Sequence, residues 1–224
     1  MAQTIFITGT DTGAGKTVLT ALLARFLLAR KLSVAALKPV CSGGRDDARR
    51  LEAALAGALS LDEINPWHFR ASIAPLLAAR QENQSVQVAD VLAFIRTTQK
   101  RFDVTLVEGA GGLLSPLGEN FDSRDLLMAL RAVPVVVAPN RLGVVNHILL
   151  TLEVLPKNTV ARVKVVLMSS PKPDTATASN AKLLAEFFPA SRILTLPWLG
   201  RNFNAATAWR RPPVRRTLAA LVDR

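Results

Sequence analysis

The stretch "FITGTDTGAGKTVLTALLARFLLA", Phe6 to Ala29, decides the reading of this chain. A short β-prone run ends at Thr8, a glycine-rich loop follows from Gly9, and Leu19, Leu22, Leu23, Phe26 and Leu27 then recur at helical spacing over residues 17–30. Strand, loop, Gly15-Lys16-Thr17 and amphipathic helix in that order predict a phosphate-binding loop. Its glycines let the backbone approach an anion closely, and the free amides at the helix start favour phosphate. Lys16 is placed to reach the β- and γ-phosphates of a nucleotide, and the Thr17 hydroxyl to ligate Mg²⁺. The spacing is irregular. The usual pattern puts four residues between the first glycine and Gly-Lys; here Gly9 and Gly15 are separated by five.

Outward from this loop, apolar strand-like runs alternate with helical stretches. The runs 4–8, 33–37, 104–107, 133–138 and 163–168 are short and nearly continuous, as strands buried on both faces are. Helices are predicted over 48–59, 88–99, 125–132, 146–155 and 176–188. The alternation predicts an α/β fold: one three-layer domain over residues 1–224, with a mostly parallel sheet flanked by helices. Residues 202–213 are expected to be an exposed connection to a last short helix.

In such sheets ligands bind beyond the carboxyl ends of the strands, and the chemically capable residues fall there. Lys38-Pro39-Val40-Cys41-Ser42-Gly43 follows the second run, with Asp46 and Asp47 entering the next helix. Both carboxylates could cap that helix, or one could serve a metal. Glu108 ends the third run, where a lone buried carboxylate is costly and calls for a cation. Gly109-Ala110-Gly111-Gly112 follows it, and Asn140 to His147 opens another helix. His147 has no metal-ligand spacing around it and reads as structural.

Composition sets bounds. The chain has 224 residues, half of them hydrophobic, 28 basic against 17 acidic residues, and a net charge of +11. No run approaches the roughly 18 apolar residues of a membrane span, and the start lacks a signal-peptide layout. The single cysteine, Cys41, excludes an intrachain disulfide and fits a reducing compartment, so a cytoplasmic protein is expected. The basic excess is compatible with a polyanion partner, but the arginines look scattered, with one dense cluster at Arg210, Arg211, Arg215 and Arg216. Neither nucleic acid nor membrane is expected as a partner.

Taken together, these pieces resemble the dethiobiotin synthetases of biotin synthesis. That family's loop reads Gly-Thr-Asp-Thr-x-x-Gly-Lys-Thr, with the same extra residue. The resemblance continues through "KPVCSG" (38–43), "DA" (47–48), "NPWHF" (65–69), "LVEGAGGLLSPL" (106–117), "LGVVNH" (142–147) and "LPWLG" (196–200). It implies ATP-dependent closure of a cyclic urea on 7,8-diaminopelargonic acid with CO₂, through a carbamate and a carbamic–phosphoric anhydride, with Mg²⁺ as cofactor. Lys16 and Lys38 would flank the transferring phosphoryl group, Lys38 also holding the carbamate, with Thr12 nearby. Thr17, Asp47 and Glu108 would serve Mg²⁺; Asp47 is preferred to Asp46 because the family's aspartate precedes alanine. ATP contacts would come from Gly13, Ala14, Gly15, Lys16, Thr17, Val18, Asp47, Glu108, Gly109, Ala110, Gly111, Ser169, Ser170, Pro197, Trp198 and Leu199. Ser42, Gly112, Gly143 and Asn146 would contact the substrate, the last two across a homodimer interface.

There are three departures. Many members carry glutamate where this chain has Gly13. Many place Asn-Asp, which reads adenine, where this chain has Ser169-Ser170; a hydroxyl cannot make an amide's paired contacts, so relaxed base preference is expected. The basic segment 200–224 matches nothing in the family pattern. A partition-type DNA-binding ATPase and a catalytically silent homologue are the competing readings. The first needs a lysine early in the loop, and the second needs the loss of Lys16, Lys38 or a Mg²⁺ ligand; neither condition is met.

Overall fold

The computed structural model describes residues 3–222; the outermost two residues at each end of the expected 1–224 domain lie outside this description. In chain order the first half contains β1 (Gln3–Gly9), α1 (Lys16–Ala29), β2 (Val34–Leu37), β3 (Val40–Ser42), α2 (Asp46–Leu55), α3 (Leu61–Ile64), β4 (Trp67–Phe69), α4 (Pro75–Gln81), α5 (Val88–Gln99) and β5 (Val104–Glu108). The second half contains β6 (Pro116–Gly118), β7 (Phe121–Asp122), α6 (Ser123–Leu130), β8 (Val133–Pro139), α7 (Val144–Glu153), α8 (Lys157–Val160), β9 (Lys164–Met168), α9 (Asn180–Leu184), β10 (Ile193–Leu196), α10 (Ala205–Ala208) and α11 (Pro212–Val222).

Six strands form the central sheet in the order β10-β9-β8-β1-β5-β2, every neighbouring pair parallel. Their side chains are largely buried on both faces, which is why the runs read as continuous rather than alternating. β1 lies between β5 and β8, so the chain reverses its direction of travel across the sheet there. A crevice opens at such a switch point beyond the strand ends. α1 is buried nearly all round, from Leu19 through Leu27, because α2, α10 and α11 pack on it besides the sheet.

The predicted helix over 176–188 is reduced to five residues, Asn180–Leu184. Asp174 accepts from the Thr177 amide and hydroxyl at 2.9 Å and from the Leu142 amide at 2.7 Å, which holds the preceding residues in turns. The buried Asn180 amide donates to Asn140 Oδ1 at 2.8 Å. Polar side chains here bind the backbone in place of a helix. The edge strand β10, the small β3–β4 and β6–β7 pairs, and α4 were not anticipated from the sequence. The connection after residue 202 contains α10 and then leads into α11.

Candidate active site

Register builds the site. β2 and β5 pair with Leu37 opposite Val107, so Lys38 and Glu108 emerge side by side at the carboxyl end. β5 and β1 pair with Ile7 opposite Glu108, which sets the carboxylate beside the loop before α1. Lys38 Nζ donates to Glu108 Oε1 and to Asp47 Oδ2, both at 2.7 Å. The Thr17 hydroxyl donates to the same Glu108 oxygen at 2.7 Å. Lys38 and Glu108 are 5% and 1% exposed, so this is a buried ion pair, with the half-exposed Asp47 as its third member.

Gly15, at φ +100°, is the residue before α1; that backbone favours glycine, and a Cβ there would also have to displace the flexible end of Met168. Lys16 Nζ donates to the carbonyls of Gly111, at 2.6 Å, and Asp11, at 3.0 Å, and so spans the mouth of the loop. Ser115 Oγ accepts from the Gly112 amide at 2.8 Å and fixes the turn that presents Gly111. The buried Asn65 side chain donates to the Lys38 carbonyl at 2.7 Å and anchors the strand end from behind.

The charges tune one another. Burial lowers the Lys16 pKa, the Lys38 cation lowers it further, and the group settles at about 8. Burial also opposes a charged Lys38, but Glu108 and Asp47 outweigh it and hold the ammonium above its usual range. For Asp47 burial works upward, and the adjacent Lys38 prevails to place the carboxyl below its usual range. Burial raises the Cys41 thiol, which lies 3.2 Å from both the Gly44 carbonyl and Asn65 Oδ1, so it is a packed neutral thiol.

These groups line one cavity of about 680 Å³. Thr12, Gly13, Gly15, Lys16, Thr17, Val18, Lys38, Ser42, Asp47, Glu108, Ala110 and Gly111 all face it. Its outer wall is Ser72 to Pro75, held by the Ser42 hydroxyl on the Ile73 carbonyl at 2.5 Å; the sequence reading missed this wall. Asp46 is turned to solvent and paired with Arg49 at 2.8 Å, whereas Asp47 faces the cavity. Ala14, Gly109, Gly112, Ser169, Ser170, Pro197, Trp198 and Leu199 are not among the cavity-lining residues. Gly112 instead lines a separate cleft of about 520 Å³ with Thr10, Asp11, Leu114, His147 and Leu150. Gly143 and Asn146 sit exposed at the start of α7. The Ser170 hydroxyl accepts from the Lys172 amide at 3.2 Å, which commits it to a turn.

The residues fit a hard divalent cation. Glu108 Oε2 is buried and has no hydrogen-bond partner, an arrangement that is costly unless a ligand completes it. Two carboxylates and a hydroxyl meet there. Mg²⁺ typically takes one or two carboxylates, keeps several waters and shares phosphate oxygens. Among the described residues no three His, Cys, Asp or Glu side chains cluster as a metal cage, so the donor set suits a cation shared with a nucleotide.

Comparison with known proteins agrees with this geometry. A family model described as "AAA domain" matches residues 3–204. An ATP-dependent dethiobiotin synthetase of Anaeromyxobacter dehalogenans is 38% identical over 199 residues, covering 87% of this chain and 89% of that one. The chain belongs to the dethiobiotin synthetase family. A family member from Methanococcus vannielii is 32% identical over 163 residues, covering 73% of this chain and 77% of its own. Among solved structures, a ParA family ATPase from Chlorobium tepidum superposes with a TM-score of 0.61 at 12% identity, over 99% of this chain and 100% of that one. The pNOB8 ParA bound to nonspecific DNA gives 0.61 at 14%, over 99% and 98%. At these identities the structural likeness is one of fold.

Proposed function

We propose that this dethiobiotin synthetase family member closes the ureido ring of dethiobiotin from 7,8-diaminopelargonic acid, CO₂ and ATP. The observation that carries this reading is a buried lysine, Lys38, paired with two carboxylates beside a second buried lysine, Lys16, in a phosphate-binding loop. One amine of the substrate takes up CO₂ to give a carbamate. A carbamate oxygen attacks the γ-phosphorus, the bond to the β-phosphate oxygen breaks, and ADP leaves. The second amine then attacks the carbamate carbon, the ring closes, and phosphate departs with the attacking oxygen.

The chain's own groups supply position and charge. Lys38, kept protonated by Glu108 and Asp47, faces the cavity as a fixed cation for carbamate and γ-phosphate, two anions that repel without it. Lys16 leaves the Gly111 and Asp11 carbonyls for the β- and γ-phosphates. Thr17, Asp47 and Glu108 would hold Mg²⁺, which neutralises phosphate charge when bound. Thr12 and Ser42 line the same cavity and would contact the carbamate and the rest of the substrate. The Gly143 to Asn146 entrance of α7 would receive the substrate carboxylate across a homodimer interface, where exposed Leu142 and Leu150 would be covered. No helix among the described residues is long and apolar enough to cross a membrane, and a cytoplasmic location is part of the proposed reading.

The test is product formation. Purified protein given diaminopelargonate, bicarbonate and Mg-ATP is expected to yield dethiobiotin by mass spectrometry. Nucleotide binding without product would refute the reading and leave a silent homologue.

A further inference from the structure

The fold brings Arg30 of the first helix segment to the arginine cluster that is already dense in the sequence. Residues 12–45 and 187–222 contain no aspartate or glutamate. α1 from the first segment packs directly on α10 and α11 from the second. At this junction Phe26 meets Trp209 edge-on, with ring centroids 6.1 Å apart. The Arg30 guanidinium lies 5.5 Å over Phe26, and that of Arg210 lies 5.4 Å over Trp209. Between them opens a cleft of about 390 Å³ lined by Phe26, Ala29, Arg30, Trp209, Arg210 and Arg215. Arg211 and Arg216 are the next residues in sequence to two of these arginines. Arg210, Arg211, Arg215 and Arg216 are all exposed, and none forms an ion pair with a carboxylate among the described residues.

We propose that this face binds the phosphate backbone of double-stranded nucleic acid without reading its sequence. Guanidinium groups are matched to phosphate oxygens and give position rather than base discrimination. Arg211 and Arg215 stand one helical turn apart, about 6 Å along the axis. Two phosphate steps on one strand rise by a similar amount, about 6.8 Å. A single strand is the weaker match, because it is held by bases stacked on open aromatic faces. Here the Trp209 ring already has Arg210 over it and Phe26 at its edge. The face lies at the far end of α1 from Lys16, about 20 Å along the helix, and is independent of the catalytic reading. It departs from the expectation that nucleic acid is no partner.

The test is fluorescence polarisation of the full chain with a labelled 30-base-pair duplex across a salt series. Affinity is expected to fall linearly with log salt. R210Q/R211Q/R215Q/R216Q is expected to weaken binding about tenfold or more near 100 mM salt and to reduce the slope by about 3. Unchanged Mg-ADP affinity would show that this variant is folded. R70Q/R96Q/K157Q/K172Q removes the same charge from other elements and is expected to stay within about threefold of the parent. Equal losses in both variants would reduce the effect to net charge and overturn the proposal. So would tighter binding of a single strand, tighter binding of phosphatidylglycerol vesicles, or no duplex binding at low salt.

Discussion

Lys38 and Glu108, seventy residues apart in sequence, meet at 2.7 Å because adjacent parallel strands end in register. Neither charge is tolerable there alone: each is nearly inaccessible to water, and Glu108 with Asp47 holds Lys38 protonated. Asp47 extends the pair, and Thr17 ties it to the phosphate loop. The arrangement holds a lysine charged inside the cavity while leaving one carboxylate oxygen without a partner.

Removing Lys38 therefore has two separable effects. Lys38→Met is expected to lower turnover by about a hundredfold or more, as loss of a charge-stabilising group at a reacting centre does. It also strands Glu108, so the ligand-free variant is expected to lose about 3 kcal/mol of stability in urea unfolding. Added Mg²⁺ is expected to stabilise this variant more than the parent, since it replaces the missing cation. Equal Mg²⁺ stabilisation of both would separate Glu108 from metal binding.

The depressed pKa of Lys16 makes nucleotide affinity depend on pH. Below about 8 the ammonium is protonated and can meet phosphate; above it the free protein binds nucleotide only by recapturing a proton. The dissociation constant for Mg-ADP is expected to rise above pH 8, by up to about tenfold per unit. The stability of the ligand-free protein has its own sign. Between about 8 and the unfolded value of 10.5 the unfolded chain holds more protons, so the Lys16 contribution to stability rises with pH across that window. Lys16→Arg is expected to flatten the binding profile. Isothermal titration from pH 7 to 9.5 checks both, and a flat parent profile counts against the assignment.

Two adjacent aspartates are expected to behave differently. Asp47→Asn breaks the contact with Lys38 and is expected to raise the Mg²⁺ concentration for half-maximal rate by about tenfold. Asp46→Asn loses only an exposed pair with Arg49, worth at most about 1 kcal/mol, and is expected to leave the Mg²⁺ requirement unchanged. Rates measured against Mg²⁺ at saturating ATP decide the matter; the opposite ranking would move the site to Asp46.

Much of this site was legible before folding was considered. Gly15-Lys16-Thr17 announces itself through spacing and the helix that follows, and residues that end buried strands stand where ligands bind. What could not be read was mutual burial. Lys38 taken alone is an ordinary surface lysine; only the register of β2 against β5 makes it an interior cation. Asn65 was quoted within "NPWHF", but its hydrogen bond to the Lys38 carbonyl arises from tertiary packing. The lost turns of the helix predicted over 176–188 have the opposite cause. Asp174, Thr177 and Asn180 make specific side-chain bonds that periodicity ignores.

Base selection is expected to be loose. Ser169 and Ser170 offer short hydroxyls, the second already accepting from the Lys172 amide, and neither can make an amide's paired contacts with a base. GTP and CTP are expected to support rates within about tenfold of ATP, and Ser169→Asn to restore about 1–2 kcal/mol of preference for ATP. Initial rates with each nucleotide at subsaturating concentration test this, and strong rejection of GTP and CTP by the parent would contradict it.

Attack of a carbamate oxygen on the γ-phosphorus can be followed by oxygen transfer. In a single turnover started with C¹⁸O₂ and Mg-ATP, one labelled oxygen is expected in the released phosphate and one in the dethiobiotin carbonyl. Unlabelled phosphate formed alongside labelled dethiobiotin would contradict it, because the ring would then have closed without carbamate phosphorylation.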